Sequence, residues 1–304
     1  MAKTCLLFNA AAGSARAAED TIREFVQRSG VELRPTRRPG DVEPLMRGIL
    51  DDGFARVIVA GGDGTISQAV LALAPDFGRI EVAIAPLGTG NDLARALSID
   101  AANLEAALKN ALESSARPMD VIQVDDDHGR AHFINAASGG IAGKVAAEVD
   151  AEDKQMLGPM AYWMTAVSEL ADPQPYQVEL EFDDGRREQL DVYGLYLANG
   201  RYVGGGFTVA PDALLDDGLL DLTAIPALPM LELMGVGLRI ALGGQTDDPR
   251  LPRFRSSRVH LRSEPDMHFS VDGEPARAIE AQLEVLPGVL RIVPGPNPEA
   301  LRVE

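Results

Sequence analysis

The chain has 304 residues, 46% of them hydrophobic, and a formal net charge of −18 at pH 7. That length suggests two domains, each able to bury its own core, and the apolar content excludes an intrinsically disordered chain. The acidity argues against a nucleic-acid binder, which needs a basic face to displace counterions, and it disfavours loose adsorption to anionic lipid.

Strand and helix signals alternate through the first 120 or so residues. The apolar run Thr4–Phe8 ends at Asn9 and carries the only cysteine, Cys5, which excludes an intrachain disulfide and reads as core. Met1–Asn9 has no apolar region followed by a small-residue cleavage site, so no secretory leader is expected and the protein is placed in the cytosol. Helical spacing of Ala18, Ile22, Phe25 and Val26 predicts a helix over Ala17–Arg28, followed by a short extended Val31–Arg34 and a second helix over Pro44–Leu50. Val57–Ala60 reads as a buried strand, followed by Gly61-Gly62-Asp63-Gly64-Thr65 and a helix through Ile66, Val70 and Leu73. Val82–Ala85 is a further buried strand leading into a second glycine loop, Pro86-Leu87-Gly88-Thr89-Gly90-Asn91-Asp92. This alternation implies a parallel sheet covered by helices, with the loops after Asn9, Ala60 and Ala85 at the carboxyl ends of their strands, where such sheets collect ligands.

Near Met119–Val124 the pattern changes to runs of period two, such as Val178–Phe182 and His268–Val271, with turns at Asp184-Gly185, Asp217-Gly218 and Asp272-Gly273. A mostly antiparallel second domain follows. Leu157–Ala171, with Tyr162, Trp163 and Met164, reads as a core helix, the alternative being the lining of a lipid pocket, and Met230–Leu242 also reads as helix. Arg250, Arg253, Arg255, Arg258, His260 and Arg262 concentrate positive charge. The preferred reading puts Val259 and Leu261 inward and the charges on the solvated face of a strand; the alternative turns them to a membrane. No apolar run approaches the roughly 18–20 residues of a membrane span. The four histidines show no zinc-site spacing. The expected architecture is α/β: a nucleotide-binding α/β domain over 1–121, to which the tail from about 289 to 304 returns, and a β-sandwich domain over 122–288.

The chemistry concentrates in the loops. Three glycines around Asp63 and Thr65 let the backbone approach a bulky anion, and the N–H groups of the opening helical turn favour phosphate. Asp63 would repel a bare phosphate, so a divalent cation, typically magnesium, is expected between them. In the second loop Gly88 and Gly90 flank Thr89, whose hydroxyl, with the Asn91 amide, supplies directional hydrogen bonds; an ordinary helix cap by Asn91 or Asp92 is the competing reading. Two such loops at one sheet edge favour a nucleotide site. Neither is a Walker A motif or a dinucleotide fingerprint.

With Asn199-Gly200-Arg201, Gly204–Gly206, Pro211–Leu222 and Asp272-Gly273-Glu274-Pro275, these motifs make the chain resemble the diacylglycerol kinase catalytic-domain superfamily, and within it the bacterial YegS-like lipid kinases. The resemblance spans nearly the whole chain. Gly61–Thr65 alone also occurs in NAD kinases and phosphofructokinases; the second loop and the Asp-Gly-Glu-Pro element make the combination specific. Many relatives open with Asn-Pro before a Ser-Gly or Ala-Gly pair, where this chain has Asn9-Ala10-Ala11-Ala12-Gly13-Ser14.

The resemblance implies an ATP-dependent lipid kinase that phosphorylates a glycerolipid hydroxyl, of diacylglycerol or phosphatidylglycerol type. It implies ATP held by Thr36, by Gly61, Gly62, Asp63, Gly64, Thr65, Ile66 and Ser67, and by Thr89. It implies Mg2+, with Ca2+ as the alternative, held by the Asp217 carboxylate and the Leu214 and Leu219 carbonyls; without it, Asp217-Gly218 reads as a plain hairpin. Glu274 is the implied proton acceptor, with Asp272 sharing that role or orienting the metal. A transient encounter with lipid at the inner membrane surface follows, with the oligomeric state left open, a homodimer included. The competing functions are a soluble-substrate kinase of NAD kinase type and a non-catalytic nucleotide- or lipid-binding regulator.

Overall fold

The computed structural model describes residues 3–141, 174–229, 231–232, 235, 248 and 250–302, with 274, 275 and 277–279 described in their backbone alone. The helix expected over Leu157–Ala171 lies outside the described residues, as does most of that over Met230–Leu242. The chain forms two compact units: Met1–Val121 with Leu215–Asp217 and Pro287–Glu304, and Ile122–Leu214 with Gly218–Leu286.

In the first unit the elements run β1 (Thr4–Phe8), α1 (Ala15–Ser29), β2 (Glu32–Pro35), α2 (Val42–Asp51), β3 (Arg56–Gly61), α3 (Asp63–Leu71), β4 (Glu81–Pro86), α4 (Asp92–Ala96), α5 (Leu104–Glu113) and the start of β5 (Arg117–Asp126). Four strands pair in parallel in the order β2-β1-β3-β4. All six residues of β3 are buried, as a strand covered on both faces requires. Helices α1 and α5 pack together, as do α2 and α3. Ile22 of α1, Leu6 and Phe8 of β1, Ile58 of β3 and Leu108 of α5 share one core cluster. Cys5 belongs to this interior: it is fully buried, and desolvation pushes its thiol up to about 12.

Strand order makes the loops converge. The chain leaves β1 toward β2 on one side and crosses back to β3 on the other, so β1 and β3 are neighbours whose connections diverge. That is the switch point of an open α/β sheet, where a crevice opens beyond the carboxyl ends of the strands.

The second unit is built from the rest of β5, β6 (Gly129–Phe133), β7 (Ala136–Gly140), β8 (Tyr176–Phe182), β9 (Arg187–Ala198), β10 (Tyr202–Val203), β11 (Phe207–Thr208), β12 (Leu220–Pro226), β13 (Arg253–Ser256), β14 (Arg258–Val271) and most of β15 (Glu274–Ile292). Its pairings are antiparallel. The long strands β9 and β14 each pair with β8 along one stretch and with β7 along the other, which wraps the sheet about a core containing Phe133, Phe182, Leu197, Leu222, Leu261 and Leu283.

In β14, Val259 and Leu261 are buried, while Arg258 and Arg262 are exposed and His260 is half-buried. Three arginines of the basic segment form ion pairs, and His260 hydrogen-bonds a carboxylate. Arg255 meets Asp221 at 3.0 Å, Arg258 meets Glu284 at 3.3 Å, and Glu280 receives both His260 at 2.6 Å and Arg262 at 2.9 Å. Arg262, and after it His260, hold the Glu280 carboxyl below the ordinary value.

Candidate functional site

Four loops of the first unit meet beyond the strand ends. At the switch point Asn9 ends β1, and its side-chain amide donates to Thr65 Oγ1 at 2.7 Å. Its carbonyl oxygen accepts from Thr36 Oγ1 at 3.3 Å and from the Ala11 N–H at 3.0 Å. One asparagine thus joins the loops after β1, β2 and β3. The Thr36 loop is closed on itself by Asp41, which accepts the N–H groups of Arg37 and Arg38 at 2.9 and 3.0 Å.

The two glycine loops touch through their backbones. A Cβ built on Gly88 would lie 2.6 Å from Gly62 Cα and 3.0 Å from Asn91 Oδ1, so glycine is required there by close approach. Leu87 donates its N–H to the Gly61 carbonyl at 2.9 Å, and its own carbonyl accepts from the Ser14 N–H at 3.0 Å and from Ser14 Oγ at 3.1 Å. A Cβ on Gly13 would stand 3.4 Å from Thr89 Oγ1, which puts the first loop beside the second.

Asp63, first residue of α3, is partly buried and accepts the Leu93 N–H at 3.4 Å. Burial raises its carboxyl above the ordinary carboxylate value, against the opposing effect of the Leu93, Asn91 and Asp92 N–H groups. The carboxylate expected to face a cation therefore caps the start of α4, contributed by the opposite loop. Asn91 makes no side-chain cap on α4: its Oδ1 accepts from Gly88 N at 3.0 Å, its Nδ2 donates to Gly88 O at 2.7 Å, and its backbone is left-handed with φ 51°.

Of the residues expected to hold ATP, Gly61, Gly62, Asp63, Gly64, Thr65 and Thr36 cluster around Asn9 and the Gly62–Gly88 contact, with Thr89 at the Gly13 edge. Gly64 and Thr89 are exposed, whereas Ile66 and Ser67 turn inward and are buried.

In the second unit, Asp272 and Gly273 are the two central residues of the β14–β15 hairpin, flanked by the pair Val271 and Glu274. Both have positive φ, 45° and 95°, the type I′ geometry that favours Asp-Gly. The Asp272 carboxylate accepts three successive N–H groups, from Ile134 at 2.9 Å, Asn135 at 3.1 Å and Ala136 at 3.0 Å. The Glu274 backbone opens β15; its side chain lies outside the description.

The Asp217-Gly218 turn is not a hairpin tip: among the described residues the preceding strand, β11, ends at Thr208. Asp216 is fixed by Arg117 at 3.3 Å and by the Arg302 N–H at 2.8 Å, and Arg302 Nη2 donates to the Asp217 carbonyl at 2.8 Å. Asp217 belongs to the first unit, while Leu214 and Leu219 belong to the second. The donors that the resemblance implies, one carboxylate and two carbonyls, are of the oxygen type that a hard cation such as Mg2+ or Ca2+ takes. No group of three or more His, Cys, Asp and Glu side chains suited to a metal occurs among the described residues.

Residues 3–124 match the diacylglycerol kinase catalytic domain, and residues 135–294 match the YegS C-terminal NAD kinase beta sandwich-like domain. A Xanthomonas euvesicatoria pv. vesicatoria protein named "Probable lipid kinase YegS-like" is 35% identical over 288 residues, 91% of this chain and 93% of its own length. The chain belongs to the YegS-like lipid kinase family. It is accordingly an enzyme, a kinase. A Pseudomonas putida relative of the same name is 34% identical over 263 residues, 86% of this chain and 84% of that protein. A Bacillus anthracis structure assigned to the diacylglycerol kinases superposes with a TM-score of 0.81 at 25% identity, over 97% of this lipid kinase and 95% of that chain.

Two residues of this kinase escaped the sequence reading. Asn9 was noted only as a motif remnant, and its role as the joint of three loops depends on contacts 27 and 56 residues away. Asn135 lies in Phe133-Ile134-Asn135-Ala136, which carries no motif.

Proposed function

We propose that this lipid kinase transfers the γ-phosphate of ATP to a hydroxyl of a glycerolipid of diacylglycerol or phosphatidylglycerol type, at the membrane surface. The observation that carries the nucleotide part is the meeting of Asn9, Thr36, Thr65 and the Gly62–Gly88 contact beyond the strand ends at the switch point. Glycine backbone and hydroxyl groups there suit a phosphate chain, which packs against N–H donors that side chains would otherwise cover.

In this reading the loops bearing Thr36, Gly61–Ser67 and Thr89 bind ATP and orient its γ-phosphate. The Asp217 carboxylate and the Leu214 and Leu219 carbonyls would hold Mg2+, which when bound neutralises phosphate charge. Glu274 takes the proton of the lipid hydroxyl as its oxygen bonds to phosphorus and the bond to the ADP oxygen breaks. A positioned carboxylate of this kind is worth about 100- to 10,000-fold. No helix among the described residues is long and apolar enough to cross a membrane, which fits a peripheral encounter with lipid.

The test is transfer of labelled γ-phosphate from ATP to a panel of purified lipids in mixed micelles with magnesium, with Glu274→Gln as control. A labelled lipid that disappears in the variant, with ATP affinity retained, is the expected result, and its mobility identifies the acceptor. An active Glu274→Gln enzyme, or ATP binding with no labelled lipid, removes the assignment.

A further inference from the structure

We infer that Asp272 is a positioning residue that clamps the Asp272-Gly273-Glu274 turn, not a proton acceptor, and that Asn135 and Asn199 hold the corner to which it is clamped. The inference rests on the reading of Glu274 as the base and assigns a task to the Asn199-Gly200-Arg201 motif, which that reading leaves unused.

The geometry is a chain of hydrogen bonds within the second unit. An ionised carboxylate offers about four lone-pair sites. Three of those on Asp272 face the consecutive N–H groups of Ile134, Asn135 and Ala136, two on Oδ1 and one on Oδ2. Asp272 returns its own N–H to the Ala136 carbonyl at 3.0 Å. Four bonds therefore lock a hairpin tip whose first central residue sits at φ 45°, a conformation uncommon outside glycine that aspartate adopts more readily than most residues. A carboxylate already spent on three peptide groups is badly placed to receive a substrate proton, and well placed to fix where the next residue but one begins its strand.

The corner is fixed from its other side. The Asn135 carbonyl accepts the N–H groups of Asn199 and Gly200, both at 2.9 Å, and the fully buried Asn199 donates its side-chain amide to the Ile134 carbonyl at 2.8 Å. The Asn135 amide then reaches the Tyr202 carbonyl at 3.0 Å. Tyr202 opens the β10–β11 hairpin, whose tip is Gly204-Gly205-Gly206 with φ of 60°, 90° and 108°. In both cases the side-chain amide donates to a backbone carbonyl of another segment, from the end of β9 to Ile134 and from Asn135 to Tyr202.

The experiment compares Asp272→Asn, Asn135→Ala and Glu274→Gln in the full chain by kcat, KM for ATP, ATP affinity from calorimetry, and the pH dependence of kcat. Asp272→Asn keeps an oxygen toward Asn135 and Ala136 but sets an amide against the Ile134 N–H. It should lose about tenfold in kcat, with ATP affinity and the acid limb of the pH profile unchanged. Asn135→Ala, which cuts only the tie to Tyr202, should lose a smaller factor in kcat, again with ATP affinity unchanged. Glu274→Gln should fall by at least about 100-fold. Asp272→Asn activity as low as that of Glu274→Gln, or loss of its acid limb, overturns the inference. Should Asp272→Asn fail to fold, Asn135→Ala decides, and an unaltered kcat overturns it. An active Glu274→Gln would sink the base assignment separately, since the other variants are scored against wild type.

Discussion

The side-chain amide of Asn9 donates a 2.7 Å hydrogen bond to Thr65 Oγ1, joining the loops after β1 and β3 where the strand order reverses. The Asn9 carbonyl oxygen also receives Thr36 Oγ1 and the Ala11 N–H. Asn9→Ala breaks three bonds at once and should destabilise the fold by about 1–3 kcal/mol. It should weaken ATP binding by roughly tenfold, since three loops lose their common register. Calorimetric ATP titration beside thermal unfolding checks both; unchanged ATP affinity would detach this joint from the nucleotide site.

Two glycines of one turn and its partner loop separate folding from binding. A Cβ on Gly88 would press to 2.6 Å on Gly62 Cα, a backbone atom that cannot swing aside, whereas a Cβ on Gly64 meets nothing within 4 Å. Gly88→Ala is therefore expected to cost about 1–3 kcal/mol. Gly64→Ala should stay within about 0.5 kcal/mol of wild type in stability while weakening ATP binding, because its new methyl occupies the face left open for phosphate. Chemical denaturation and ATP titration of the pair supply the readout.

The buried position of Asp63 gives a pH signature. Its carboxyl in the folded state is raised above the ordinary 3.8, mainly by desolvation. The stability associated with the protonated form is thus fully present below the unfolded value and is lost as pH rises through the folded one. Asp63→Asn keeps an acceptor for the Leu93 N–H and removes the charge. It should match or exceed wild-type stability at pH 7, with the difference shrinking toward pH 4 and below. Denaturation midpoints from pH 3.5 to 7.5 test this (about the span over which a carboxylate titrates), and a variant uniformly less stable across that range would contradict it.

Arg255, Arg258 and Arg262 of β13 and β14 are paired with acids, so they offer little unbalanced charge to a membrane. The exposed pairs Arg258–Glu284 and Arg262–Glu280 are worth about 0–1 kcal/mol each, whereas Asp221 is buried and depends on Arg255. Replacing Arg258 and Arg262 by glutamine should leave co-sedimentation with anionic liposomes at its wild-type level and lower stability only slightly. A marked fall in liposome binding would show that these arginines leave Glu284 and Glu280 for lipid.

Much of the fold was legible because it follows from local periodicity. The buried runs Val57–Ala60 and Val82–Ala85 became β3 and β4, helical spacing at Ala18 and Ile22 became α1, and Asp272-Gly273 became a type I′ hairpin. Helix α5 went unread, although Asn103 caps it through the Ala106 N–H at 3.1 Å and Ala107, Leu108 and Ala111 form its buried stripe. Alanines give such a stripe a weak hydrophobic contrast. The candidate site was legible as residue types but not as bonds. Gly61–Thr65 and the Gly88 loop announce close backbone approach by composition, yet the partner of Gly62 turned out to be Gly88 itself. Asp63, Asn91 and Asp272 carry ligand-binding or catalytic side chains by type, and each accepts main-chain N–H groups.

The sequence by itself determined the class of elements, the order of the two kinds of sheet and the loops where chemistry collects, because period, glycine and turn chemistry act over a few residues. Only the tertiary structure decided which polar side chains are spent on the protein: a carboxylate or amide bonds whatever partner the fold brings within about 3 Å, and the long-range partners of Asn9, Asp63 and Asp272 lie 27 to 138 residues away along the chain.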